Sequence, residues 1–254
     1  MTARRKDWFD DDAFWQDVSP FLFPESRFLE AVEQVDQAVA LAAPVGRTAL
    51  DLCCGPGRCA MALAQKGFTV TGVDRTKYFL NKAKTRARAA GLEIDWVQAD
   101  MRDFVRPDAF HLVLNMFTSF GYFRDPEENG GVLRNILMSL RPGGACLIDV
   151  MGKERLAGIF QETTSVRLPN GSVLLQRHEI VDDWTRVKND WIVVRKGRAK
   201  NFAFSHMVYS GQELRWMLEQ AGFVDVRVYG SLTGEPYGRA SRRLVVVGRK
   251  RLEA

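Results

Sequence analysis

The residues best placed to do chemistry begin with one acid and two glycines inside a short stretch, Thr48-Ala-Leu-Asp-Leu-Cys-Cys-Gly-Pro-Gly-Arg58. An apolar run from Ala49 to Cys53 stops at Gly55-Pro56-Gly57, and a helix-like run follows from Arg58 to Gln65. A strand, a tight turn and a helix start bring bare backbone N–H groups and the positive end of a helix against a ligand. Asp74 lies seventeen residues past Gly57 and ends the next β-branched run, Phe68 to Asp74. Nucleotide-binding βαβ units place an acid near there to accept from the two ribose hydroxyls. Glycine spacing alone admits a dinucleotide, because Gly55-Pro56-Gly57-Arg58-Cys59-Ala60 passes as the alanine variant of that fingerprint. Asp51 argues the other way: a carboxylate beside the loop repels a pyrophosphate and suits a cationic group.

These residues need strands to carry them. A third strand, Glu93 to Asp100, precedes Met101-Arg-Asp-Phe104, and a fourth, Phe110 to Asn115, leads into Met116-Phe-Thr-Ser-Phe-Gly-Tyr-Phe123. A helical run from Gly131 to Leu140 is closed by Arg141-Pro142-Gly143-Gly144, where proline ends the helix and the glycines permit reversal, before a fifth strand, Ala145 to Asp149. Further helices are expected over 57–66 and 76–90. Strand and helix alternate, which implies a parallel sheet with right-handed crossovers. Taken singly, Asp74 also reads as a helix N-cap, Asp100 as a turn cap and the glycines as ordinary turn residues. Taken together, at the carboxyl ends of parallel strands, they read as a nucleotide-like site.

Asp51-Leu-Cys-Cys-Gly-Pro-Gly57, with the acids that follow, resembles the cofactor loop of class I S-adenosylmethionine-dependent methyltransferases. The likeness spans roughly residues 45–150, and more weakly 222–249. It implies an α/β fold: a Rossmann-like seven-stranded, mostly parallel sheet with helices on both faces, an N-terminal helical cap and an antiparallel β insertion. It implies S-adenosylmethionine as cofactor, with Asp51 near its ammonium group, Asp74 on the ribose, Asp100 on the adenine amino group and Met101 on the ring. Cys53, Gly55, Gly57, Arg75, Asn115 and Met116 complete the cofactor set.

The chain outside the core divides into three further parts. Residues 1–46 read as a cap or lid, 47–150 as the cofactor-binding core, 151–210 as the insertion and 211–254 as the completion of the sheet. In the cap, Trp8, Phe9, Phe14 and Trp15 are too many aromatics to leave in water. Pro20 and Pro24 suggest an extended or turned Phe21-Leu22-Phe23. A helix from Ser26 to Leu41 carries Phe28, Leu29, Val32, Val35 and Val39 at helical spacing. Asn170-Gly171 marks a hairpin, followed by strands Arg186–Arg195 and Asn201–Tyr209. A helix, 211–220, then precedes strands Val224–Tyr229 and Arg243–Arg249, a final hairpin that puts one antiparallel strand into the sheet.

Composition sets bounds. Of 254 residues, 46% are hydrophobic and 26% charged, ordinary globular usage. No apolar run approaches the roughly 20 residues of a membrane span, and the N-terminus lacks an apolar signal stretch, so the expectation is a cytoplasmic protein with no membrane partner. The four cysteines do not frame a disulfide pattern, and Cys53, Cys54 and Cys59 have no nearby histidine and no zinc spacing, so no metal is expected. The net charge of +5 is spread over strand faces and turn tips, so nucleic acid is not the expected partner. A homodimer stays open.

The motifs after strands three and four, with the insertion, resemble bacterial small-molecule methyltransferases such as the aminosugar N-methyltransferases. In those, a histidine can follow the glycine of the fourth-strand loop; here Tyr122 stands there. The expected reaction is in-line methyl transfer to N or O of a small molecule. Candidate catalytic groups are His206, Tyr122 and Tyr209, with Phe117, His178 and Tyr237 on the substrate side. His111 falls in the fourth strand and reads as structural. The other readings are an RNA or protein methyltransferase, which lacks support from an Asn/Asp-Pro-Pro-Tyr/Phe motif, and a cofactor-binding homologue without turnover.

Overall fold

The computed structural model describes residues 7–252; residues 1–6 and 253–254, including the leading stretch read for a signal segment and the first residues of the cap, lie outside the described residues. The described chain opens with a 3₁₀ turn, Trp8–Asp10, then α1 (Asp12–Leu22) and α2 (Ser26–Ala42). The Asp11 side chain caps α1 by accepting from the Ala13 N–H at 2.9 Å. Pro20 lies inside α1 rather than ending it, so Phe21 and Leu22 are helical and not extended. The proline falls in the last turn, where its missing N–H costs one bond and the helix ends two residues later.

The α2 boundary fits its apolar spacing, but the buried stripe is rotated. Ala31, Val35, Ala38 and Ala42 face inward, whereas Leu29 is 74% exposed. Small residues let α2 approach α3 (Arg58–Gln65) closely, through Cys59, Ala60 and Leu63.

The core alternates β1 (Thr48–Leu52), α3, β2 (Thr69–Asp74), α4 (Lys77–Ala89), β3 (Asp95–Gln98), β4 (Phe110–Asn115), α5 (Pro126–Ser139) and β5 (Leu140–Val150). α5 starts earlier than its apolar pattern suggests, because Pro126 sits in its first turn and Asp125 caps it on the Glu127 N–H at 2.9 Å. β5 also starts early and runs through Pro142-Gly143-Gly144, since Leu140 already pairs with Phe110. A short helix, α6 (Lys153–Ile159), precedes β6 (Thr163–Arg167), β7 (Val173–Val181), β8 (Arg186–Arg195) and β9 (Arg198–Met207); α7 (Gly211–Ala221), β10 (Val224–Tyr229) and β11 (Leu244–Arg249) close the chain.

Two sheets result. The first has seven strands in the order β10-β11-β5-β4-β1-β2-β3, and the second has four, β6-β7-β8-β9. In the large sheet β1, β2, β3, β4 and β5 pair in parallel, and β11 is antiparallel to both β5 and β10. The seven-stranded, mostly parallel Rossmann-like sheet, its helices on both faces and the separate antiparallel sheet are therefore present. One face packs against α5 and α7 through Val132, Leu133, Ile136, Leu214 and Leu218. The other packs against α2 and α3. A third cluster joins Phe14 and Val18 of α1 to Leu174 and Val193 of the small sheet. Trp8 and Phe14 of the cap thus find their partner surface on the insertion, whereas Phe9 packs on Tyr122 and Phe123 and Trp15 on Phe79 of the core. Among the described residues no helix is long and apolar enough to cross a membrane.

Candidate active site

The carboxyl ends of β1, β2 and β3 lie side by side in the sheet order, and each ends on or near an acid. Asp51, Asp74 and Asp100 all line one cavity of about 380 Å³. The chain reverses at Gly55, which has φ 54°, a conformation that favours glycine, and which also lines the cavity. Gly57 has φ 86°, a Cβ there would come within 2.6 Å of the Trp96 ring, and Gly57 does not line the cavity. Its role here is packing at the start of α3.

Asp51 is buried and accepts from the Ala60 N–H at 2.8 Å. Burial pushes its carboxyl up to about 7, against the lowering effects of the Ala60 bond and the Arg58 charge, with Asp74 adding a further raise. Asp74 takes the Gly55 N–H on one oxygen and the Thr76 N–H on the other, each at 2.8 Å. Burial raises its pKa and those two amides oppose the rise. Each carboxylate oxygen carries two lone pairs, so Asp74 shapes the glycine turn and keeps capacity for further donors.

Asp100 behaves differently. Burial alone would raise its pKa, but bonds and charge from Arg102, with Arg75, hold it below the usual carboxylate range. The Arg102 guanidinium donates to Asp100 at 2.8 and 3.1 Å and to Glu128 at 2.8 Å. Arg75 pairs with Asp10 of the 3₁₀ turn and stacks over the Phe9 ring at 4.8 Å. Asp7 lies 3.6 Å from Arg102. The cap is thereby latched onto the acids at the strand ends.

Cys53, Met101 and Met116 line the cavity, with Cys53 Sγ 3.4 Å from Met101 Sδ. Asn115 is fully buried and donates to the Leu52 carbonyl at 3.2 Å; it braces β1 against β4 and does not line the cavity. Among the described residues no group of three His, Cys, Asp or Glu side chains is placed to hold a metal ion.

Across from the acids the cavity is aromatic. Trp8, Phe14, Trp15 and Phe23 come from the cap, Tyr122 from the loop after β4, and Trp191 and Phe204 from the small sheet. Trp8 stacks on Phe204 at 4.5 Å and lies 4.9 Å from Tyr122. Phe117 and Thr118 adopt φ values of 61° and 63°, rare for residues with side chains. Buried Asp149 holds them there: its carboxylate accepts from the Phe117 N–H at 3.0 Å, its carbonyl accepts from the Thr118 N–H at 2.9 Å, and Arg243 pairs with the carboxylate. Arg58 and Arg243 both sit over the Phe117 ring, at 3.5 and 4.9 Å.

His206 and Tyr122 line this cavity, as does Phe117; His178, Tyr209 and Tyr237 do not. The Asn189 amide fixes the state of His206. Its Nδ2 donates to the Val187 carbonyl and to His206 Nδ1, both at 3.3 Å, while its Oδ1 faces His178 Nδ1 at 2.8 Å. His206 Nδ1 is therefore an acceptor, and the neutral ring carries its proton on Nε2. Burial, with the charges of His178 and Arg186, pushes its pKa down to about 4. The group expected to act as a base is a weakly basic hydrogen-bond donor.

Burial, then Cys53 and Asp74, raises the Tyr122 hydroxyl, so it stays protonated. Tyr209 is packed on Phe120 at 5.5 Å in the core, with its hydroxyl lacking a partner among the described residues. Tyr237 donates to Glu154 Oε2 at 2.5 Å, beside α6 and the start of α7. The expected position of its loop near the sheet's carboxyl ends does not bring its hydroxyl into the cavity.

Residues 49–144 match the family model described as a methyltransferase domain. The cypemycin N-terminal methyltransferase of a Streptomyces species is 29% identical over 204 residues, covering 80% of this chain and 82% of that one. The dTDP-3-amino-3,4,6-trideoxy-alpha-D-glucopyranose N,N-dimethyltransferase of Streptomyces venezuelae is 26% identical over 65% of this chain and 69% of its own. The protein is an S-adenosylmethionine-dependent methyltransferase. A solved S-adenosylmethionine-dependent methyltransferase from Clostridium acetobutylicum shares the fold, with a TM-score of 0.77 over 94% of this chain and 98% of its own, at 15% identity.

The methyltransferase's cavity suits that cofactor chemically. Asp51 and Asp74 are buried and have raised pKa values, so the site gains from a cationic ligand. The sequence missed Arg27, Arg58, Phe23, Trp191 and Phe204, which also line the cavity. The only signal for Arg58 was a charged residue directly after a glycine turn, in a helix that is otherwise mostly small and apolar.

Proposed function

We propose that the enzyme moves the cofactor's methyl group to an amine nitrogen of a small molecule. The observation that carries the choice of nitrogen is the state of the groups beside the aromatic half of the cavity. His206 is neutral with Nδ1 committed, and Tyr122 is held protonated. A hydroxyl acceptor must lose a proton as it reacts, and neither group is suited to take it. A neutral amine attacks through its own lone pair without first losing a proton and leaves as the methylated ammonium, while both groups can donate hydrogen bonds to oxygen atoms elsewhere on the acceptor and so orient it. The names of the two relatives fit this reading: one acts at the N-terminus of cypemycin, and the other is an N,N-dimethyltransferase.

The cofactor, when bound, supplies an electrophilic methyl on a sulfonium centre. The chain's part is to align the acceptor lone pair with it and to exclude water. Asp51 would face the cofactor's ammonium, Asp74 the ribose, and Asp100 with Met101 the adenine, while Cys53, Gly55, Arg75 and Met116 form walls. We assign Gly57 and Asn115 to supporting that wall from behind. The segment up to residue 46 would serve as lid, 47–150 as cofactor site, 151–210 as roof and 211–254 as the rest of the sheet. The enclosure by lid and roof favours a small acceptor over a folded RNA or protein. Four unpaired cysteines accord with the cytoplasm.

The test is incubation with methyl-labelled cofactor and matched panels of small amines, phenols and alcohols, a short peptide and RNA. Label on the amines supports the proposal. Label on hydroxyl compounds alone, or on RNA alone, overturns it.

A further inference from the structure

One group in the cavity has no task in the chemistry above. Arg58 is the first residue of α3 and is 7% exposed. Its Nη1 is buried and has no hydrogen-bond partner among the described residues. The guanidinium lies over the Phe117 ring at 3.5 Å and near the Phe23 ring at 5.7 Å, and the residue lines the cavity. A buried guanidinium with an unsatisfied N–H is expensive unless a partner arrives. Aromatic faces offset part of that cost but accept no in-plane hydrogen bond.

The neighbours do not supply the partner. Asp51 is close enough for its charge to be felt but is committed to the Ala60 N–H on one oxygen and forms no bond with Arg58. Arg243, the other cation on Phe117, already has Asp149. Arg27, exposed on α2, lines the same cavity and adds a second positive charge. Positive charge at the rim and an unsatisfied guanidinium inside describe a route and a seat for an anion.

We propose that Arg58, assisted by Arg27, forms a carboxylate-binding subsite at the Phe23–Phe117 end of the cavity. A planar carboxylate matches the guanidinium fork, which a lysine ammonium at that position would not reproduce. Two ligands offer the group: the amino-acid end of the cofactor, whose ammonium suits the adjacent Asp51, and an acidic substituent on the methyl acceptor. The inference rests on the methyltransferase reading of the cavity.

Calorimetry separates the sources. The wild type and Arg58→Gln are titrated with S-adenosylhomocysteine, with its analogue carrying hydrogen in place of the carboxylate, and with 5′-methylthioadenosine, which lacks the amino-acid end. Equal affinity of both proteins for 5′-methylthioadenosine shows that the variant is folded and its adenosyl site intact. If the cofactor fills the subsite, the wild type favours S-adenosylhomocysteine over the decarboxylated analogue by at least tenfold, and Arg58→Gln removes that preference, with Arg58→Lys falling between. If the acceptor fills it, the variant binds S-adenosylhomocysteine as the wild type does. The wild-type complex then binds acetate, read against chloride at equal ionic strength, and the variant complex does not. Identical behaviour of the two proteins in both arms overturns the subsite. A wild type that binds none of the adenosyl compounds overturns the methyltransferase reading instead.

Discussion

At the scale of single residues, the acids at the strand ends make the sharpest predictions. Asp74 holds the glycine turn through the Gly55 amide, fixes the start of α4 through the Thr76 amide and, in the proposed site, holds the ribose. Asp74→Ala is expected to weaken S-adenosylhomocysteine binding by about 1–3 kcal/mol, read by calorimetry. Asp51 sets a pH dependence. Its carboxyl titrates at about 7, and a cationic ligand prefers it ionised. Affinity should therefore tighten as pH rises through that value, by up to about tenfold per unit below it. Asp51→Asn should flatten the profile, and a wild-type affinity unchanged between acid and neutral pH would contradict the assignment. These acids and Gly55 were legible because strand ends and glycine turns are local sequence features. His206 was legible as a cavity residue but not as a donor, because its state depends on Asn189, whose partner role is a matter of strand register. Tyr237 and Tyr209 misled because a tyrosine in a loop or at a strand end carries no mark of which way it packs.

At the scale of elements, the cap and insertion form one structure around the cavity. Phe14 is 3% exposed and meets Phe202 and Phe204 at 5.3 Å each. Phe14→Ala is predicted to cost about 3–5 kcal/mol, read from denaturant melts, and to open the lid. Loss of S-adenosylhomocysteine affinity should accompany it, whereas a stability loss with unchanged affinity would show that the lid is only packing. A second element depends on Asp149, which is 1% exposed and pairs with Arg243. Arg243→Ala leaves that carboxylate buried without its cation, an effect of about 3–5 kcal/mol, and should relax the strained Phe117-Thr118 turn. The alternation of strand and helix was readable because each element carries its own period and punctuation. The phase of α2 was not, since Leu29 and Val32 fit the apolar spacing as well as Ala31, Ala38 and Ala42 do; close packing on α3 selected the smaller residues. Pro20 inside α1 and the strand through Pro142 were likewise tertiary choices that override local preference.

At the scale of the whole molecule, buried acids set stability against function. Asp51 in the unfolded chain titrates near ~3.9, well below its folded value. A raised acid binds its proton more tightly when folded. Its stabilising contribution is thus full below about pH 4 and is lost as pH climbs to about 7. Over that span the loss is roughly 3–5 kcal/mol, since Asp51 is buried. Asp51→Asn should melt higher than the wild type at pH 8, by about 2–4 °C per kcal/mol recovered, while binding the cofactor less well. An equal or lower melting temperature would contradict the burial cost assigned to that carboxylate. The cavity itself was not legible in the sequence. Its walls come from the cap, three strand ends, the loop after β4 and two strands of the insertion, segments that only the fold brings together.

The most direct test of the account is a calorimetric titration of the intact protein with S-adenosylhomocysteine at pH 8, beside Asp74→Ala. The account predicts one site per chain, saturating at micromolar ligand, and markedly weaker binding in the variant. A folded wild-type protein that releases no heat with millimolar ligand would contradict it.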